Sequence, residues 1–519
     1  MLKNDVKNLR GRCQVVHFPW VNNITSDNFS NKALADSNVV DLSKKVLEVS
    51  FQKSLAEPAG TFEIMLPNDR DWKQEIKPGT WLLLYMSNTD DLAIPDKSET
   101  VSTRALAGQK DKLRCIGYVE RVSAKGGLGE RGEFDIVYSV TGRDFGVIYQ
   151  ETNIWHNIVF FERNLVDAAT ARLNSKAIKT VDGLLDTMHR LIYSPADFKG
   201  LVSGNKSLTQ TALQWMFPDK LAKALDLSVA RGVPFYGNIR NVLQLESSSC
   251  TYPVENPLSL INGRAWDQLK SHSIEVLHEL YPETGDDGHP HLYFRPIPWR
   301  LRQKPIVDRL FKNTSRGLFK NLDRVQIPTI DILDFDLGED NHARYNLFFT
   351  VVNSSLYTVQ DSLAGVADNN TRTGFPRIQQ SSVKRHGLRM MYNEISTLIQ
   401  LNTEKIDQKL LQGYNELMLE YWNNAVFLES GSMNIVGNNG IKVGKVIEVE
   451  KDSPFNSEKL FYVEGYKDTF IVHENGVGEW IQTLNLTRGI EKQDLTRGVG
   501  SVARRDNEHT DVGEFTEDN

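Results

Sequence analysis

From Lys45 the chain falls into a two-residue rhythm. In VLEVSF, Leu47, Val49 and Phe51 alternate with Glu48 and Ser50; in GTFEIML, Phe62, Ile64 and Leu66 alternate with Thr61 and Glu63. A period of two places the apolar set on one face of a strand. Thr80–Met86, TWLLLYM, is apolar throughout, as expected of a strand buried on both faces. CIGYVERV and EFDIVYSV, joined by SAKGGLGERG, predict a hairpin. In its second strand Phe134, Ile136, Tyr138 and Val140 face opposite to Glu133, Asp135 and Ser139. Roughly five strands in about 100 residues predict a small closed barrel or sandwich over 43–157. The polar stretch 88–112 reads as an insert in it.

The rhythm then lengthens. Segments 164–174, 180–193 and 211–227 have helical spacing, with Leu184, Leu185, Met188, Leu191 and Ile192 on one face of the second. Pro218 breaks the third segment or starts a new helix. A further helix is expected over 257–272. Then IEVLHELYPETGDDGHPHLYFRPIPW, from Ile274, reads as strand, acidic glycine turn and strand. A second β region begins near Val325. Residues 403–425 predict a helix inserted in it, about six turns long. After that helix Ile441, Val443, Ile447 and Val449 oppose Lys442, Glu448 and Glu450. Leu460–Gly489, LFYVEGYKDTFIVHENGVGEWIQTLNLTRG, reads as three strands and two turns, with Phe461, Val463, Leu484 and Leu486 facing inward.

The predicted fold is thus α+β and mainly β. An N-terminal arm (1–42) precedes the first barrel (43–157), and a helical and mixed middle region occupies 158–325. A second barrel (326–490) carries the 403–425 helix, and a polar tail (491–519) follows.

Composition narrows the function classes. Hydrophobic residues make up 40% and charged residues 24% of 519, so the chain can bury a sizeable core. The net charge of −7 gives no general pull on nucleic acid. Cys13, Cys115 and Cys250 are odd in number and far apart, which fits neither a disulfide framework nor a thiolate metal site. A reducing compartment is expected. No signal peptide and no apolar stretch of membrane-spanning length is read.

Candidate chemistry is sparse. Glu464, Asp468, His473 and Glu474 are acid–base residue types close in sequence. No glycine-flanked nucleophile accompanies them, and they are expected at solvent-facing or turn positions. Asp286–His291, DDGHPH, contains potential metal ligands, but its spacing matches no zinc pattern and predicts a turn. Asp331, Asp334, Asp336, Glu339 and Asp340 lack calcium-loop spacing and read as a charged strand and turn. Gly126–Gly132 is a hairpin loop, not a phosphate cradle. Trp81, Trp266, Trp299, Trp422 and Trp480 read as core anchors. No catalytic, cofactor-binding or metal residues are assigned, no cofactor is expected, and the chain does not read as an enzyme.

Five segments, in order, resemble the central baseplate hub proteins of contractile-tailed bacteriophages, and the hub part of type VI secretion spikes. They are FDIVYSVTGRDFGVIYQETNIWHN (134–157) with its Thr141–Gly142–Arg143–Asp144 turn, AWDQLKSHSIEVLHELYPETGDDGHPHLYFRPIPW (265–299), FDLGEDNHARYNLFFTV (335–351), VKRHGLRMM (383–391), and the closing Phe461–Gly465 and Thr483–Gly489 strands preceded by GIKVGKVIEV. The resemblance covers roughly residues 45–490. The arm, the 88–112 insert and the tail have no counterpart in it.

The resemblance implies two similar tube-like barrels per subunit and a homotrimer presenting six barrels to a hexameric tail tube, with a trimeric central spike opposite. It implies a virion structural protein of the tail baseplate, made in the host cytoplasm, without stable membrane insertion. Its implied partners are itself, the tail tube protein and the central spike protein, with tape measure and baseplate wedge proteins as further candidates. DNA would meet it only in passage through the channel, whose lumen would be acidic or neutral; Glu448, Glu450 and Asp135 are the expected lumen acids. Two other readings stay open: a cell-wall-degrading glycosidase component of the baseplate, and a soluble OB-like binding module.

Overall fold

A computed structural model describes residues 11–19, 39–95, 99–128, 134–156, 219–225, 244–247, 261–271, 273, 278–298, 319–339, 345–352, 377–378, 380–395, 414–415, 418, 429–451, 455 and 457–492. The helices expected at 164–174 and 180–193 lie outside these residues. Of the one expected at 403–425, Tyr414, Asn415 and Met418 are described; they are helical and buried.

The first β region comprises β1 (Arg12–Phe18), β2 (Val40–Asp41), β3 (Glu48–Ser54), β4 (Thr61–Pro67), β5 (Trp81–Ser87), β6 (Leu113–Leu128) and β7 (Phe134–Asp144). The middle holds β8 (Asn153–His156), β9 (Gln244–Ser247), β10 (Ile261–Arg264), β11 (His278–Thr284) and β12 (Pro290–Pro296). The second β region has β13 (Arg324–Ile327), β14 (Ile332–Glu339), β15 (Leu347–Val352), β16 (Arg377–Ile378), β17 (Met390–Ile395), β18 (Glu429–Val436), β19 (Val446–Val449), β20 (Lys459–Val472) and β21 (Gly478–Glu491). The fold is mainly β, with short helices such as Trp72–Glu75, Thr103–Ala107 and Ala265–Ser271.

The two β regions share one sheet. Its strand order is β14-β18-β21-β20-β3-β4-β7-β6-β5-β1-β2, with β13 and β19 attached beside β20. The join is β20 against β3, antiparallel from Gly465 opposite Ser54 to Ile471 opposite Glu48. Core residues from both regions form one cluster: Val49, Phe51, Phe62, Ile64 and Leu84 pack with Phe461, Val463, Tyr466, Trp480 and Leu484. Trp480 lies against Gly437 and Gly11, where a side chain would collide with the indole or its backbone. Burying one tryptophan removes roughly 150–250 Å² from water and is worth several kcal/mol.

Several sequence expectations hold. β5 is buried at every position between β1 and β6. Phe62, Ile64 and Leu66 are buried, and β11 and β12 pair as a hairpin around the acidic glycine turn. Others change. Arg12–Phe18, inside the expected arm, is a strand buried from Cys13 to Phe18 and paired along β5. The 88–112 insert is tied to that strand: Gln109 Nε2 donates to Gln14 Oε1 at 2.5 Å, and Gln14 Nε2 donates to Asp41 Oδ2 at 2.6 Å. The helix expected from residue 257 starts at Ala265, after β10. Gly126 and Gly127, expected in a loop, belong to β6. Leu460–Gly489 is one long hairpin of two strands, not three, with its turn at residues 473–477.

Candidate functional site

The long sheet has two unlike faces. One packs into the core. On the other, polar side chains align across strands at matched register. Asp334 lies beside Asn434, then come Thr483, Lys467, Gln52, Thr61, Arg143 and Tyr118. None of these eight is fully buried. A neighbouring row runs Thr469, Ser50, Glu63, Thr141 and Arg121. Period-2 alternation in each strand produces the face; the β20–β3 join makes it continuous across both regions.

Two charges on this face, Arg143 and Glu63, are paired. Arg143 bonds Glu120 and Glu151 and donates to Gln150 Oε1 at 2.6 Å. Glu63 is held by Lys125 and Ser139, whose hydrogen bonds keep its carboxyl below the usual range. Between Gln52, Ser54, Thr61, Arg143, Lys467 and Thr483 the face dips into a cleft of about 650 Å³. Such a surface lacks the basic excess that grips phosphate.

Beneath the join, charged groups are buried in pairs. Arg114 of β6 donates from Nε to Asp468 Oδ2 at 2.8 Å, and both side chains are fully inaccessible. Its Nη1 donates to Ile441 O at 2.8 Å and Asn439 O at 3.2 Å. The guanidinium lies 4.5 Å from the Tyr466 ring centre, and Trp480 Nε1 donates to Asp468 Oδ1 at 3.1 Å. Burial pushes the Asp468 carboxyl up, against the opposing pull of Arg114. Lys53 of β3 bonds Asp144 of β7, where burial again raises the carboxyl.

The β11–β12 hairpin docks on the second region through similar contacts. Glu279 Oε2 accepts from Tyr462 at 2.7 Å and from Arg295 Nε at 3.0 Å, and its other oxygen lies 3.5 Å from Arg488. Arg295 Nη2 donates to Gly444 O at 2.7 Å, and Lys442 Nζ donates to Gly285 O at 2.7 Å. Gly444 has φ +83°, and an added Cβ there would lie 2.1 Å from the Tyr281 hydroxyl.

The acid–base suspects do not converge. His473 and Glu474 are in the exposed hairpin turn, where His473 Nε2 lies 2.7 Å from Glu479 Oε2. Glu464 is partly exposed and 3.5 Å from Arg488. Asp468 is a correction: expected at the surface, it is completely buried. A bulge between Val463 and Gly465 shifts the parity, so Phe461 and Val463 face inward before it and Tyr466, Asp468 and Phe470 after it.

DDGHPH is a turn. Asp287 lies 3.1 Å from His289 Nδ1 and 3.0 Å from His291 Nε2. Burial works against the Asp287 charge, but these hydrogen bonds hold the carboxyl well below its usual range. Asp331 ends a short 3-10 turn, Asp334, Asp336 and Glu339 sit along β14, and Asp340 lies outside the described residues. Among the described residues, no three or more His, Cys, Asp or Glu side chains are grouped to hold a metal ion. Cys13 and Cys115 are buried free thiols, pushed up by burial; Cys250 lies outside the described residues. Trp81, Trp266 and Trp480 are buried, whereas Trp299 and Trp422 lie outside the described residues.

Of the expected lumen acids, Glu448 is instead buried on β19 and bonded to Lys492, with Arg324 at 3.6 Å. Glu450 is exposed, and the side chain of Asp135 lies outside the described set. Arg114, Lys53 and Glu279 carry buried pairs without having been singled out in the sequence, and Asp144, expected in a turn over Thr141–Asp144, is instead the last residue of strand β7. Lys53 had a signal: it continues the inward parity of Val49 and Phe51.

No protein-family model matches the chain, and no curated protein does. Among solved structures it is similar to a tail protein from Neisseria meningitidis MC58, at 10% identity and TM-score 0.44, covering 92% of this chain and 96% of that one. It is also similar to the 43 kDa tail protein of prophage MuSo2 from Shewanella oneidensis, at 9% identity and TM-score 0.44, covering 92% and 98%. A structure of a PdpA–VgrG complex aligns at 8% identity and TM-score 0.39, covering 93% and 66%.

Proposed function

We propose that this chain is a structural hub of a phage-type tail baseplate. In this reading three copies form a ring between the hexameric tail tube and the trimeric central spike, leaving an axial channel for DNA. The observation that carries it is the single sheet uniting both β regions, with one apolar face in the core and one continuous polar face. A channel wall needs such a face: wet, rigid, and without a basic excess that would hold a passing polyanion. The ordered motif resemblance in the sequence supports the same reading. The buried pairs Arg114–Asp468 and Lys53–Asp144 stiffen the sheet at its join.

The test is assembly and activity together. The purified chain is expected to form a trimer, to bind tail tube and central spike proteins from the same particle, and to leave peptidoglycan uncut. A monomer that binds neither protein, or clear muralytic activity, overturns the proposal.

A further inference from the structure

The turn between β11 and β12 touches three parts of the chain. Toward the second β region, Lys442 Nζ donates to Gly285 O at 2.7 Å and Lys445 Nζ donates to Asp286 Oδ2 at 2.6 Å. Toward the 88–112 insert, Gly288 lies against Lys110: its φ is +75°, and an added Cβ would be 2.8 Å from Lys110 Cβ. Toward the middle region it meets the end of a short helix, Asp219–Ala224, which itself packs on the insert helix Thr103–Ala107.

The contact with the Asp219–Ala224 helix runs through His289. Its Nε2 lies 2.9 Å from the carbonyl oxygen of Leu225, the residue after the helix. Its Nδ1 lies 3.1 Å from Asp287 Oδ2. A carbonyl oxygen accepts, and so does an ionised carboxylate; neither donates. A neutral imidazole has one N–H and serves one of them, whereas the imidazolium donates to both. Burial opposes the Asp287 charge, but hydrogen bonds from His289, through side chain and backbone, and from His291 hold the carboxyl well below its usual range.

Charged groups reach the ring from two elements. Asp287 and His291 come from its own hairpin, and Lys110 comes from the insert. The helix side presents the Leu225 carbonyl, and Lys442 and Lys445 of the second β region are engaged by Asp286. The hydrogen bond to Asp287 outweighs burial and the repulsion from Lys110, so the His289 pKa stands above its ordinary 6.5. The side chain is 17% exposed, which gives water access to the ring.

We propose that His289 is a pH-operated clasp between the β11–β12 turn and the Asp219–Ala224 helix. Protonated, it binds both and holds the helix against the insert. Deprotonated, it keeps one bond. The bond to the charged acceptor is the stronger, so the remaining N–H stays on Nδ1 toward Asp287. The bare Nε2 lone pair then faces the Leu225 oxygen, and the helix is released. A group whose folded pKa is raised contributes its full stability below the unfolded value, so the clasp is complete below pH 6.5 and is lost as pH rises through the folded value. The clasp is independent of the ring reading: it operates within one chain.

Hydrogen exchange on the full chain tests it, followed by mass spectrometry between about pH 6 and 9 and corrected for the intrinsic base-catalysed rate. Amides of 219–225 are expected to lose protection by up to about tenfold per pH unit as the ring titrates, while those of the buried strand β5 keep theirs. In His289→Gln the step should vanish, with 219–225 already unprotected at the acid end. In Asp287→Asn the step should move down by about one pH unit or more, because the ring loses its anionic partner. Circular dichroism checks that both variants fold. A measurement on the wild type decides the matter without them: the His289 ring, followed by carbon-13 NMR, should titrate above pH 6.5 and in step with the loss of protection. Protection of 219–225 that is flat in pH, a step that persists in His289→Gln, or a ring that titrates below 6.5 overturns the clasp.

Discussion

Asp468→Asn is the sharpest probe of the join between the two β regions. The substitution keeps shape and an acceptor for Trp480 Nε1 but removes the carboxylate bonded to Arg114 Nε. With about 4 Å between charge centres and an effective dielectric near 20, the lost attraction is about 4 kcal/mol. The guanidinium cannot reach water and cannot shed its proton, so it stays charged and uncompensated. Breaking one side of a buried pair typically costs about 3–5 kcal/mol, in agreement. Arg114→Met should cost less than Asp468→Asn at low pH, because burial already raises the Asp468 carboxyl and it can be neutralised by a proton. Urea denaturation of the two single variants and the double variant gives the coupling. A coupling above about 1.5 kcal/mol at unchanged m-value is expected. A loss below about 1 kcal/mol in Asp468→Asn would refute the electrostatic argument, since that is the range of exposed pairs.

Three further outcomes follow from named geometry. His17 is buried beside Thr80, and burial lowers its pKa from 6.5 to about 4. The folded state favours the neutral ring, so this stability is complete above pH 6.5 and is lost as pH falls through about 4, by about 3 kcal/mol; in His17→Gln, denaturation midpoints should lose that part of the acid dependence. Gly444→Ala should destabilise by at least 1–3 kcal/mol, from its left-handed backbone and the Tyr281 hydroxyl 2.1 Å from the new Cβ; an unchanged melting temperature would contradict the packing of the β11–β12 hairpin. His473→Ala, in an exposed turn, should change stability by less than about 0.5 kcal/mol, and a larger loss would show that the turn does more than close the hairpin.

Local pattern was legible where one rule governed it. β4 alternates cleanly, β5 is apolar on both faces, and the Asp286–His291 turn has the residues that turns require. Strand β1 escaped because Gln14 and His17 break an otherwise apolar run; both are buried and satisfied by partners far along the chain. Asp468 escaped because a bulge reversed the parity that placed Phe461 and Val463 correctly. The continuous face escaped for a different reason. Each strand showed its polar side, but the β20–β3 pairing joins segments some four hundred residues apart, and no local period encodes that contact.

The central claim is that this one sheet, polar on its open face, walls a channel shared by three copies. An electron-microscopy reconstruction of the assembled protein tests it most directly. The account predicts a three-fold ring with Gln52, Thr61, Lys467 and Thr483 on its inner wall. A ring with those side chains on its outer surface, or particles that remain single chains, would contradict it.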